Sequence, residues 1–268
     1  MANRKRKMSL LTSAATKMKS RTPQGFGLRQ PSAALNGVGR RKRQRAAAVQ
    51  DVVAPDFTLW QLADSAFPTG GFAHSLGLEA AWQHGEVRNR TELVSFIEAG
   101  LQQLGHAALP FVMAAFDEPE KLGEFDQLCD VFTTNHVANR ASRVQGRAFL
   151  SAVERIFNSK FKIQNSKLSC AHFAPVFGAC LGELKVSRET TARMFFFNQL
   201  RSVLVAAVRL NIVGPMEAQM LQQRTSAKAE EFLTRCQLLT LDDLAQTSPL
   251  LDLWQGAQDR LYSRLFQS

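Results

Sequence analysis

No Asp or Glu occurs among residues 1–50, which carry 13 Lys or Arg, whereas residues 51–268 hold 20 basic and 23 acidic residues. The formal net charge of +10 therefore describes a tail, and the body is close to neutral. The tail is also poor in large apolar residues. Its two basic clusters, Arg4–Lys7 and Arg40–Arg45, are separated by Ser, Thr, Gly, Pro and Ala, so it cannot bury enough apolar area to offset chain entropy. A disordered extension over residues 1–54 is expected. Three roles are open to it: a solvated linker, an organelle-targeting peptide, or a nuclear-localisation or nucleic-acid patch. No apolar h-region follows the positive start, which argues against a secretory signal.

Cysteine is sparse. Cys129, Cys170, Cys180 and Cys236 lie far apart and form no Cys-x-x-Cys pair, which argues against a disulfide framework and for a reducing compartment. A cytoplasmic protein is expected, with organelle or nuclear targeting by the tail left open. The five histidines are dispersed as well. Cys170 and His172 sit two apart, but a structural zinc site needs four ligands at tighter pair spacing, so no metal ligand set is expected within the chain. There is no Gly-x-x-x-x-Gly-Lys-Ser/Thr phosphate loop, no His-x-x-x-His and no Gly-x-Ser-x-Gly. A P-loop nucleotidase, the commonest helix-borne zinc site and the usual nucleophile elbow are thereby set aside. Long uncharged apolar runs are missing too. The longest apolar region, Met194–Val213, contains Arg201 and Arg209 and follows Arg193, so it reads as a core helix packed on several sides and not as a membrane span.

What is present is helical period over most of the body, in a chain whose 45% apolar content is ample for a packed core. Asn89-Arg-Thr-Glu92 is a capping signal, followed by Leu93, Phe96, Ile97, Leu101 and Leu104 on one stripe. Leu122, Phe125, Cys129 and Phe132 repeat the pattern. Phe149, Leu150, Val153, Ile156 and Phe157 do so again after the basic run of Arg140, Arg143 and Arg147. The Lys-rich stretch 158–169 reads as a loop, and Asn211, Gly214 and Pro215 as a helix end with the glycine in a left-handed cap. Leu250, Trp254, Ala257, Leu261 and Leu265 fall at helical spacing, with Tyr262 and Phe266 as an aromatic edge. A helix running to residue 268 would fray unless something holds it. The expected fold is all-α: a single multi-helix domain over residues 55–268, whose C-terminal stretch either folds back on its own core or is ordered by a partner.

The segment Leu62–Glu79, LADSAFPTGGFAHSLGLE, breaks this helical pattern with Pro68, Gly70 and Gly71, which force a tight turn. Pro68, Gly70, Gly71, Phe72, His74, Ser75, Gly77, Leu78 and Glu79 together resemble the signature of the urease accessory protein UreF family. AAVRLNIVGPMEAQ and the final LYSRLFQS are similar to two further family stretches, and HFAPVFGACLG fits less tightly. The likeness covers about residues 57–268 and leaves the tail unexplained. Departures include Thr69, Ala73, Gln222, Gln223 and the segment QGAQDR at 255–260; if the last touches a partner, the contact is remodelled.

The resemblance implies a non-catalytic, helical adaptor for urease maturation. Proteins of this kind act as a dimerising bridge that binds UreD (also called UreH) and recruits the GTPase UreG, and the assembly delivers nickel to apo-urease. No cofactor of its own is implied, nickel being handled by the assembled complex. Phe72, His74, Ser75, Glu79, Tyr262, Arg264, Leu265 and Phe266 are the expected partner-binding residues. Folding back on its own core is the bland role for the C-terminal stretch. Two other classes stay open: a nucleic-acid-binding helical protein using the basic tail, and an all-helical enzyme with an inter-helix pocket and Glu79, His74 and His172 as its acid/base set.

Overall fold

A computed structural model describes residues 55–157 and 168–268. The extension expected over residues 1–54 and most of the loop expected at 158–169 lie outside the described residues. The described chain is all-helical. It runs α1 (Pro55–Ala63), α2 (Leu78–Gln83), α3 (Arg90–Ala107), α4 (Leu109–Asp117), α5 (Leu122–Phe132), α6 (His136–Phe157), α7 (Phe173–Glu183), α8 (Arg188–Arg209), α9 (Pro215–Cys236) and α10 (Pro249–Ala257). Short 3-10 turns at Gly71–Ala73, Pro119–Lys121, Leu241–Asp243 and Gln258–Arg260 join them.

Helix α3 begins where its capping signal lies. Asn89 Oδ1 accepts the Thr91 and Glu92 amides at 2.9 and 3.1 Å, and Glu92 reaches back one residue further than a strict capping box to the Arg88 amide, at 2.6 Å. These bonds satisfy N–H groups that have no partner inside the helix, an arrangement worth about 1 kcal/mol. The stripe Leu93, Phe96, Ile97, Leu101 and Leu104 is buried as its period requires.

The helix packed on all sides is α7, not α8. Residues Ala174–Leu181 are buried without interruption, with α4, α5, α6 and α8 around them. Small residues make this enclosure feasible: at Gly178 the α4 backbone comes so near that an added Cβ would lie 2.0 Å from the Val112 carbonyl oxygen. Helix α8, expected to be surrounded, instead leaves Arg193, Phe197, Val205 and Arg209 exposed along one line, with Arg201 half-buried between Phe197 and Val205. Its other side joins a phenylalanine cluster in which Phe149, Phe173, Phe177 and Phe195 meet with ring centroids 5.3–6.1 Å apart.

The end of α8 also differs from expectation. Asn211, with φ 58°, takes the left-handed position, and the Ile212 amide bonds back to the Ala207 carbonyl at 3.0 Å. Asparagine tolerates that region better than most residues with a Cβ. Gly214 sits in extended backbone as the cap of α9, with Pro215 at the first helical position where its missing N–H costs nothing. The last helix is likewise shorter than its period suggested: α10 stops at Ala257, and residues 261–268 are not helical.

Candidate partner-binding site around the C-terminal segment

The turn at Pro68–Gly71 places Gly70 at φ 71° and leads through the 3-10 turn to Gly77, at φ 87°, which opens α2. A side chain at Gly77 would collide with the backbone of α10, 2.9 Å from the Gln255 nitrogen. The signature therefore brings α2 against α10, and the carboxylate of Glu79, in the first turn of α2, faces the segment that follows α10.

Glu79 is 2% exposed and holds that segment by its main chain. Its Oε1 accepts the Leu265 amide at 2.6 Å, and its Oε2 accepts the Phe266 amide at 3.1 Å and Gln258 Nε2 at 2.6 Å. Gln258 Nε2 also donates to the Phe266 carbonyl at 3.3 Å, and the Gln267 amide donates to the Ala73 carbonyl at 2.8 Å. Ser268 closes the arrangement: its carbonyl accepts the Ser75 amide, and its hydroxyl meets His74 Nδ1. Arg209 lies 4.2 Å from the centre of the Phe266 ring, which suits a cation–π contact.

The eight expected partner-binding residues thus divide into two groups. His74, Ser75, Glu79 and Phe266 are enclosed by their own chain and fasten the segment. Phe72, Tyr262, Arg264 and Leu265 point outward, with Tyr262 fully exposed and Phe72 at 70%. Arg264 is tied in part to Asp259, which also receives a two-pronged contact from Arg140 at 2.8 and 3.1 Å. On the two packed helices beside the segment, Trp82, Leu250 and Leu253 add exposed apolar surface. Sequence reasoning missed Gln258, Asp259 and Arg209. Gln258 lay in the stretch noted as departing from the family pattern, and only the fold shows that this stretch turns inward.

The acid/base set considered for an enzyme is not assembled. A cavity of about 300 Å³ between α3, α6 and α8 is lined by His74 but by neither Glu79 nor His172. Glu79 is committed to main-chain amides, and His172 is bonded to Ser142 and Asp130. Among the described residues no helix is long and apolar enough to cross a membrane.

Burial, with a smaller contribution from Arg140, pushes the pKa of His74 down from 6.5 to about 4, so the ring is neutral near pH 7. A depressed folded value means that the unfolded chain takes up the proton first as pH falls. The stability from keeping His74 neutral is full above pH 6.5 and is lost between there and about pH 4, by up to about 3 kcal/mol. Urea titrations at intervals across that window should show a steeper decline for the wild type than for His74→Gln. Equal slopes would contradict the assignment.

The model of the UreF family matches residues 87–226. Urease accessory protein F of Oryza sativa is 40% identical over 216 residues, covering 77% of this chain and 83% of the relative. The protein of the same name from Arabidopsis thaliana is 40% identical over 218 residues, covering 78% and 91%. Urease accessory protein UreF of Trichodesmium erythraeum is 24% identical over 226 residues, covering 80% and 97%. The chain therefore belongs to the UreF family of non-catalytic urease accessory proteins.

Proposed function

We propose that this chain is a dimeric bridge in urease maturation, binding a UreD/UreH-type protein and recruiting the GTPase UreG, so that nickel handled by the assembly reaches apo-urease in the cytoplasm. The observation that carries this reading is a segment with a fixed main chain and outward side chains. Glu79 and Ala73 tie down the backbone of residues 265–267, while Tyr262 and Leu265 remain exposed, as do Leu250 and Leu253 on α10. Ordering such a segment in advance removes part of the entropy cost of association. A tyrosine with an arginine two positions on supplies the contact area and directed hydrogen bonds typical of anchor residues. Phe72, on a rigid turn, offers a second aromatic anchor.

Co-expression with the cognate UreD and UreG tests this directly. Deleting residues 255–268 should abolish co-purification of the partners. Because that deletion also removes Gln258 from the core, Tyr262→Ala is the sharper variant: it leaves the fold intact and should weaken partner affinity by about 2 kcal/mol, roughly 30-fold. Undiminished complex with both variants would remove the anchor role assigned to this segment.

A further inference from the structure

Asp126 and Asp130 stand one turn apart on α5 and both engage the stretch 170–172 that leads into α7. Asp126, fully buried, acts on the main chain. Its Oδ2 accepts the Cys170 and Ala171 amides at 3.0 and 2.9 Å, and its Oδ1 accepts the His172 amide at 2.7 Å. Ala171 is held at φ 58°, a left-handed conformation that is strained for a residue with a Cβ and persists only where surrounding contacts enforce it. The result is that Cys170 and His172 gather at Asp130. A carboxylate oxygen, the Cys170 Sγ and an imidazole nitrogen lie within 4.8 Å of one another.

We propose that Asp130, Cys170 and His172 form a binding site for a divalent transition metal of borderline softness. A thiolate, an imidazole and a carboxylate make a donor set suited to zinc- or cobalt-like ions, and three protein ligands leave a fourth position for water or an incoming group. The surroundings supply the supporting contacts such sites need. Ser142 Oγ lies 3.1 Å from the other ring nitrogen of His172 and is itself fixed by the Phe173 amide at 3.1 Å, while Asn139 Nδ2 donates to Asp130 at 2.9 Å. Cys170 and His172 are buried, but Asp130 opens onto a surface pocket lined by Thr133, Asn139 and Arg143, which gives an ion a way in.

Without metal, His172 Nε2–H donates to Asp130 Oδ1 at 3.0 Å. With metal, Nε2 binds the ion, the ring proton resides on Nδ1 and is donated to Ser142, and the Cys170 thiol releases its proton to solvent. Arg143, 4.0 Å from Asp130, opposes the incoming charge, and the two anionic ligands offset it. The site shares no residue with the Glu79 centre, so it stands or falls separately from the bridging role. Cys170 and His172 lie two apart in the chain; Asp130 joins them only when α5 packs against α7.

The full-length chain, stripped with chelator, is titrated with Co²⁺ and followed by absorption. A thiolate-to-cobalt charge-transfer band should grow to saturation at a single equivalent and be displaced by Zn²⁺. Cys170→Ser should remove the band, whereas Cys236→Ser, at a buried cysteine on α9, should keep it. Ser142→Ala should keep the band but weaken affinity about 10- to 100-fold. Circular dichroism reports whether each variant retains its helices. A wild-type chain that shows no thiolate band overturns the proposal, whatever the variants do, as does a band that survives Cys170→Ser.

Discussion

Gly178→Ala is expected to destabilise the protein by about 3 kcal/mol or more, or to prevent folding at 37 °C. An added methyl would stand 2.0 Å from the Val112 carbonyl oxygen and 2.8 Å from its carbon, far inside van der Waals contact. The obstacle is backbone in the middle of α4, not the tip of a flexible side chain, so relief requires two central helices to separate. Overpacking where side chains can adjust costs about 1–3 kcal/mol, and this position lacks that adjustment. The Gly→Ala change would itself favour helix by about 1 kcal/mol, so a loss of stability would isolate the packing effect. Chemical denaturation of the purified variant measures it. Gly100→Ala, on α3 with nothing within 4 Å of the added methyl, is the matched control and should be neutral or slightly stabilising.

Glu79→Ala is expected to free residues 261–268 and, with them, partner capture. The substitution leaves the Leu265 and Phe266 amides without an acceptor and Gln258 Nε2 with only the Phe266 carbonyl. A buried donor left unpaired costs about 1–3 kcal/mol, so the segment loses more than one such increment unless it detaches and reaches water. Detachment is the cheaper outcome for an eight-residue stretch. Hydrogen exchange at Leu265 and Phe266 should then approach that of an unfolded peptide, while exchange in α7 stays slow. Partner affinity should fall at least as far as in Tyr262→Ala, because the anchors would have to be ordered anew on binding. Unchanged protection at Leu265 and Phe266 would show that Glu79 is not what holds the segment.

Much of the helical body was legible in the chain itself. The α3 stripe and its Asn89 cap follow from local rules, since a helix face must be apolar every three or four residues and its first amides need an acceptor. The Pro68–Gly71 turn is equally local. What local rules mis-assigned were relations between helices. The Met194–Val213 run is more apolar than a one-sided helix requires, yet α8 keeps an exposed line, while α7 is enclosed because Gly178 and its small neighbours admit α4 closely. The period through Leu261 and Leu265 suggested more helix after α10, but Glu79 draws those amides into bonds that a helix would have used internally.

The candidate sites divide in the same way. That residues 62–79 and 261–268 matter could be read from their residues, but not that His74, Ser75, Glu79 and Phe266 fasten the segment while Phe72, Tyr262, Arg264 and Leu265 face outward. By itself the amino-acid sequence determined helical class, the turn and the family. Only tertiary structure decided which polar groups are buried together, bringing Glu79 to residues 265–266 and Asp130 to Cys170 and His172. The reason is physical: periodicity and capping act within about one turn of the chain, whereas a buried carboxylate is defined by the donors that distant helices bring to it.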